Sequence, residues 1–237
     1  GIPTLFLSIF LLSACDAPPK VEQAKPVGVI HRLIGSAELI LPNQKTPAQT
    51  GAVVLQRHRI RTGPNSTAVV QFGQNGTAVE VQANSDFSIH EFNQQLQSFE
   101  LHSGNLWLKA AGAPGREIKL KSPTAIAAVR GTKFYTFHFQ DPRGREIHGT
   151  CHCEGQVDYN TIGSDYHASH AQDTVVMNVD SRTIVFSPAE SAQLSAWSGH
   201  RHSDLPDSEL GPPKQKINPK NMQQIYALIE HKLAQQE

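Results

Sequence analysis

Between residues 27 and 159 the chain is written in short runs of alternating apolar and polar residues that end at Gly, Asn or Pro. A period of two suits a pleated strand with one face in a core and does not suit a helix. The clearest case is Val69-Val70-Gln71-Phe72, then Gly73-Gln74-Asn75-Gly76, then Thr77-Ala78-Val79-Glu80-Val81. Asn75-Gly76 tolerates the positive φ angles of a hairpin turn, so the segment predicts strand, turn, strand. Further strands are expected at 87–90, 96–101, 106–110, 117–120, 125–129 and 134–139. Strands spaced by about ten residues predict a mainly β fold, an antiparallel β-sandwich or β-roll.

Past Tyr159 the pattern changes. Ser187-Pro188-Ala189-Glu190 has the form of a capping box with Pro at the first helical position, and predicts a short helix toward Trp197. Asn218-Pro219 opens a second helix, in which Met222, Ile225, Ile229 and Leu233 fall on one stripe that suits packing against the β domain. Residues 204–213 are polar and Pro-rich and predict an irregular linker. The expected organisation is residues 1–14 as a signal peptide, 15–26 as a lipidated Cys and flexible linker, 27–160 as the β domain, and 161–237 as a His-containing extension with a C-terminal helical tail.

The first residues fix the expected compartment. Residues 2–12 are mostly apolar, too short to span a bilayer as a helix but the right length for the apolar part of a signal peptide. Leu12-Ser13-Ala14-Cys15 resembles the bacterial lipobox, whose Cys is diacylated and becomes the mature N-terminus. Two acyl chains, at about 0.8 kcal/mol per buried methylene, anchor a protein stably to a membrane. Asp16 resembles the signal that retains lipoproteins in the inner membrane, which favours a lipid-anchored protein on the periplasmic side of that membrane. Lys and Arg together number 21 and so do Asp and Glu, and aromatic residues make up 7% of the chain. That balance argues against nucleic acid as a partner. Twelve histidines would make the surface cationic below about pH 6.

The run Gly63-Pro64-Asn65-Ser66-Thr67-Ala68, with Phe72 and Gly76, is followed by residues 101–104 and then by Ser122-Pro123-Thr124-Ala125-Ile126-Ala127-Ala128-Val129-Arg130-Gly131-Thr132-Lys133-Phe134. Together these resemble the FecR-like domain of bacterial envelope proteins. The resemblance covers about residues 27–159. It implies a β-sandwich or β-roll, no catalytic residues, and a role in sensing or in binding a protein or ligand partner of the cell envelope.

Three motifs could carry chemistry. Arg130-Gly131-Thr132, read as a turn, offers a cation, a pliable backbone and a hydroxyl to an anion; alternatively Arg130 pairs with a carboxylate or carbonyls and fixes a corner between strands. In Cys151-His152-Cys153 a strand would put both thiols on one face, about 7 Å apart, and His152 on the other. His167 and His170 on a turn or helical turn, and His200 and His202 on an extended stretch, then supply imidazoles in pairs. Cys151 and Cys153 with two of these histidines would suit a transition metal such as Zn, Fe or Cu. A disulfide between the two cysteines, or simple burial as small apolar residues, stays open beside the metal reading. No serine-hydrolase elbow, zinc-protease helix motif or phosphate-binding glycine loop occurs, so the chain does not read as an enzyme.

Overall fold

In the computed structural model, residue 1 and residues 24–73, 76–110, 116–198 and 217–236 are described. The strands are β1 (Pro26–Ile34), β2 (Ala37–Leu41), β3 (Gln44–Pro47), β4 (Val53–Leu55), β5 (Arg59–Thr62), β6 (Thr67–Phe72), β7 (Thr77–Val81), β8 (Asp86–Phe92), β9 (Leu96–Ser103), β10 (Leu106–Lys109), β11 (Glu117–Lys121), β12 (Ala125–Gln140), β13 (Glu146–Thr161), β14 (His167–His170), β15 (Thr174–Val179) and β16 (Arg182–Val185). Two helices follow, α1 (Pro188–Ser198) and α2 (Pro219–Ala234).

All sixteen strands belong to one curled sheet, in the order β3-β2-β5-β8-β9-β11-β12-β10-β7-β6-β1-β4, with β13 beside β12 and extended by β14, β15 and β16. The mainly β fold expected from the alternation is what forms. One pairing departs from antiparallel: β9 and β11 run parallel. Parallel neighbours need a crossover, and here the chain leaves β9 for β10, which pairs with β7 and β12, before returning as β11.

Two corners of the curl are built alike. The chain passes from β5 to β6 through Asn65 and Ser66, and from β7 to β8 through Asn84 and Ser85; both asparagines have positive φ, 52° and 54°. Each serine hydroxyl clamps a neighbouring loop: Ser66 Oγ accepts from the Ser36 amide at 2.9 Å, and Ser85 Oγ from the Asn105 amide at 2.9 Å. The residues before those amides are Gly35 and Gly104, at φ 74° and 87°. A Cβ on Gly104 would lie 2.6 Å from Ser85 Cα, so only glycine fits beside the corner.

Inside the curl lies an apolar core that includes Phe72, Phe87, Phe99, Leu106, Leu108 and Phe134. A second cluster lies outside it, where Ile225, Ile229 and Leu233 of α2 and Leu194 of α1 pack on Ile147, Val175, Met177 and Val179. The helices start as their sequences predict. Glu190 Oε2 accepts from the Ser187 amide at 2.7 Å, and Asn218 Oδ1 accepts from the Asn221 amide at 2.9 Å. The β6–β7 hairpin also forms, with Phe72 paired to Thr77; Asn75 of its turn lies outside the described residues.

Two local expectations are corrected. Residues 125–129 and 134–139 are not separate strands, because β12 runs through Arg130-Gly131-Thr132 with an irregularity in register there. Residues 167–170 form strand β14 against β13, not a turn.

Candidate functional site

The expected chemistry converges on the β12–β13 hairpin, two strands of 16 residues each paired from Ala125↔Thr161 to Gln140↔Glu146. At Arg130–Lys133 the partner on the far side of β12 changes from β11 to β10, while β13 stays alongside throughout. A bulge lets a strand bend between two parts of a curled sheet. Beyond the bulge the period of two gives the hairpin an apolar face and a polar face.

The apolar face carries Tyr135, Phe137 and Phe139 on β12 with Ile147, Gly149, Cys151 and Cys153 on β13. Its rings stack in series: Trp107 on Tyr135 at 4.7 Å, Tyr135 on Phe137 at 5.6 Å, Phe137 on Phe139 at 6.1 Å. Phe139 meets Tyr226 of α2 at 6.1 Å. Both cysteines lie on this face as thiols, not as a disulfide, 2% and 5% exposed. The Cys153 thiol points to the Cys151 carbonyl at 3.5 Å. This is the setting of a small apolar side chain.

On the polar face the rungs are Gln140 and Glu146, His138 and His148, Thr136 and Thr150, then Phe134 and His152. His152 is fully buried, its Nε2 3.1 Å from Thr150 Oγ1, and its Nδ1 has no hydrogen-bond partner among the described residues. Its ring lies 5.5 Å from that of His170 and 6.1 Å from that of Tyr159. Burial, and secondarily the nearby His170, push the His152 pKa down to about 3, so it is neutral. His170 is lowered too, by burial, and stands 3.0 Å from the Tyr166 hydroxyl. The Tyr159 hydroxyl accepts from Asn178 Nδ2 at 2.6 Å, and Asn178 also donates to Thr124 Oγ1 at 3.1 Å. Thr183 Oγ1 donates back to Asn178 Oδ1 at 3.0 Å.

Nearer the hairpin tip, His138 and His148 stack across the strands with ring centroids 4.5 Å apart. His138 Nε2 is hydrogen-bonded to Glu146 Oε2, and Gln140 Nε2 donates to Glu146 Oε1 at 2.9 Å. The His138 bond, against a smaller opposing effect of desolvation, holds Glu146 below the usual carboxylate range. Burial, helped by repulsion from His138, lowers His148. Reading strands one at a time misses His138 and Glu146 as partners. The signal that finds them is the register: an Asp141-to-Arg145 turn makes 138 face 148 and 140 face 146.

The sequence-predicted ligands are thus divided. Cys151 and Cys153 share the apolar face, whereas the His170 ring lies tilted beside His152 on the opposite side of the strand. His167 and His170 do not converge as a helical turn would make them: three residues apart on a strand, they point to opposite faces. Cys15, His200 and His202 lie outside the described residues. Arg130 and Thr132 do not form an anion-binding turn either. Arg130 is exposed, with no carboxylate partner among the described residues, while Thr132 is 1% exposed and its hydroxyl points inward without a partner. The bulge turns the two side chains apart.

Comparison with known proteins gives a fold relationship and a partial family match. No curated protein matches the chain. Two crystal structures of a candidate anti-sigma factor from Parabacteroides distasonis align with 73% of this chain and 90% of theirs, at 12% identity and TM-scores of 0.50 and 0.49. At that identity the likeness concerns the fold alone. The family model described as FecR protein matches residues 58–151, from the approach to β5 to the middle of β13.

Proposed function

We propose that this chain is a non-enzymatic sensing or interaction module of the bacterial cell envelope, held at the membrane through a lipidated Cys15. The observation that carries the reading is the FecR match over residues 58–151, which falls on the curled sheet and on the hairpin that braces it. Chemistry of the buried groups supports it. The polar network of His152, Thr150, Tyr159 and Asn178 is sealed from solvent, so it can specify a shape but cannot meet a substrate. Among the described residues no helix is long and apolar enough to cross a membrane. The anchor assigned to Cys15 rests on the Leu12-Ser13-Ala14-Cys15 sequence. Tethering a module at a membrane raises its effective concentration for a partner in the same membrane without any new contact.

The test is made in the bacterium that carries the gene. Deletion should alter transcription in response to envelope perturbation, and the intact chain should restore it. Cys15→Ser should fold normally, leave the detergent phase for the aqueous phase, and restore the response poorly. Unchanged transcripts after deletion, across several envelope stresses, would refute the sensing role. An aqueous-phase intact protein would refute the anchor.

A further inference from the structure

We propose that His138, Glu146 and His148 form a binding site for a divalent first-row transition ion, with Zn²⁺ as the reference ion, at the tip-side end of the β12–β13 hairpin. One ligand atom from each residue lies within 4.8 Å of the other two. Among the described residues this is the one group of three such side chains, and neither Cys151 nor Cys153 belongs to it. The inference goes beyond the module reading and stands without it.

Two imidazoles and a carboxylate make a three-ligand set that leaves one tetrahedral position to water. Zinc bound at about 2.0–2.2 Å needs donors roughly 3.4 Å apart, so the hydrogen-bonded His138 and Glu146 atoms must part to admit the ion, within a set that spans no more than 4.8 Å. Side-chain rotation can supply this: His138 is 33% exposed and Glu146 50% exposed at the side chain. The backbone already sets the spacing, because His138 faces His148 and Glu146 sits one rung farther toward the turn on the same face.

Groups around the three fit the role. Gln140 Nε2 holds Glu146 Oε1, which fixes the carboxylate plane and leaves Oε2 turned to His138. Asn105 Oδ1 accepts from the His138 amide at 2.7 Å and pins that end of β12. The cations of the turn are engaged elsewhere: Arg145 bonds Asp141 and Glu230, and Arg143 bonds Glu230 at 3.3 Å. In the ion-free protein a proton lies between His138 Nε2 and Glu146 Oε2. The ion takes its place, and the proton moves to Nδ1 or to solvent. The donor set, without thiolate, suits Zn²⁺, Ni²⁺ or Cu²⁺ better than Mg²⁺ or Ca²⁺.

The test is titration of the untagged full chain with Zn²⁺ against a chromophoric chelator, repeated with Co²⁺ for its visible spectrum. One equivalent should bind. Glu146→Gln and His148→Ala should each weaken binding at least about tenfold, while His170→Ala should leave it unchanged. Zn²⁺ should raise the melting temperature of the wild type and, reversibly with EDTA, not that of Glu146→Gln. Should His148→Ala misfold, Glu146→Gln decides alone, since its side chain is half exposed and its shape is kept. Absence of saturable binding, or binding indifferent to Glu146→Gln, overturns the proposal. A thiolate-to-cobalt band that survives Glu146→Gln would overturn it as well, by assigning the ion to cysteine.

Discussion

Asp86 shows what one side chain does for this sheet. It is buried at the start of β8 and receives Arg59 Nη2 at 2.6 Å and Arg61 Nε at 3.1 Å, both from the neighbouring strand β5. Desolvation alone would raise its pKa, but the two guanidinium bonds outweigh it and hold Asp86 below the usual value. Both arginines are nearly half exposed, so solvent screening keeps the net contribution modest. Asp86→Asn should cost about 1–2 kcal/mol at pH 7 by urea unfolding. A depressed folded pKa stabilises above the unfolded value and is lost as pH falls through the folded one. The difference between Asp86→Asn and wild type should therefore shrink below about pH 4. Gly149 is the other telling residue. A Cβ there would lie 2.3 Å from Phe137 Cζ, a ring stacked on Tyr135 and Phe139 and unable to swing aside freely. Gly149→Ala should lose about 1–3 kcal/mol by overpacking, read as a lower urea midpoint.

Among the elements, α2 depends most on tertiary contact. Ile229 is 1% exposed beneath it, and Glu230 on its outer side receives Arg143 and Arg145 from the hairpin turn. Ile229→Ala should cost about 2–4 kcal/mol, because the sheet beneath cannot collapse into the space left. Both helices and the β6–β7 hairpin were legible in sequence because their signals are local: a capping box, an Asn cap before Pro, a stripe at helical spacing. β12 was not, since Gly131 reads as a break, although in the sheet it belongs to a bulge. β14 escapes a local reading for a different reason. His-Ala-Ser-His has little strand preference, and it is extended because β13 offers it an edge. The candidate site follows the same division. The shared face of Cys151 and Cys153 follows from a period of two, whereas His138 and His148 meet only through a register set by the turn between them.

For the whole molecule, histidine burial changes the expected response to acid. The twelve histidines do not titrate together, because burial lowers His58, His152 and His170 below the ordinary value. A histidine kept neutral in the fold and protonated near pH ~6.5 when unfolded stabilises fully above that pH. Its contribution is lost as pH falls from there toward the folded value, about 3 for His152. Unfolding between pH 3 and 6 should therefore take up protons, measured as a steep fall in urea midpoint with acidification. His152→Gln should flatten that fall.

The partner switch in β12 also governs where the chain can be divided. The hairpin supplies Val129, Phe134 and Val157 to the core inside the curl, and Ile147, Cys151 and Cys153 to the cluster beneath the helices. A fragment ending at Cys151, where the family match stops, would carry half of β13 and leave the far half of β12 as a bare edge. Such an edge recruits other chains. The hairpin is a seam sewn through both halves of the protein. The FecR-matching stretch and the segment after it should therefore express and unfold as one piece.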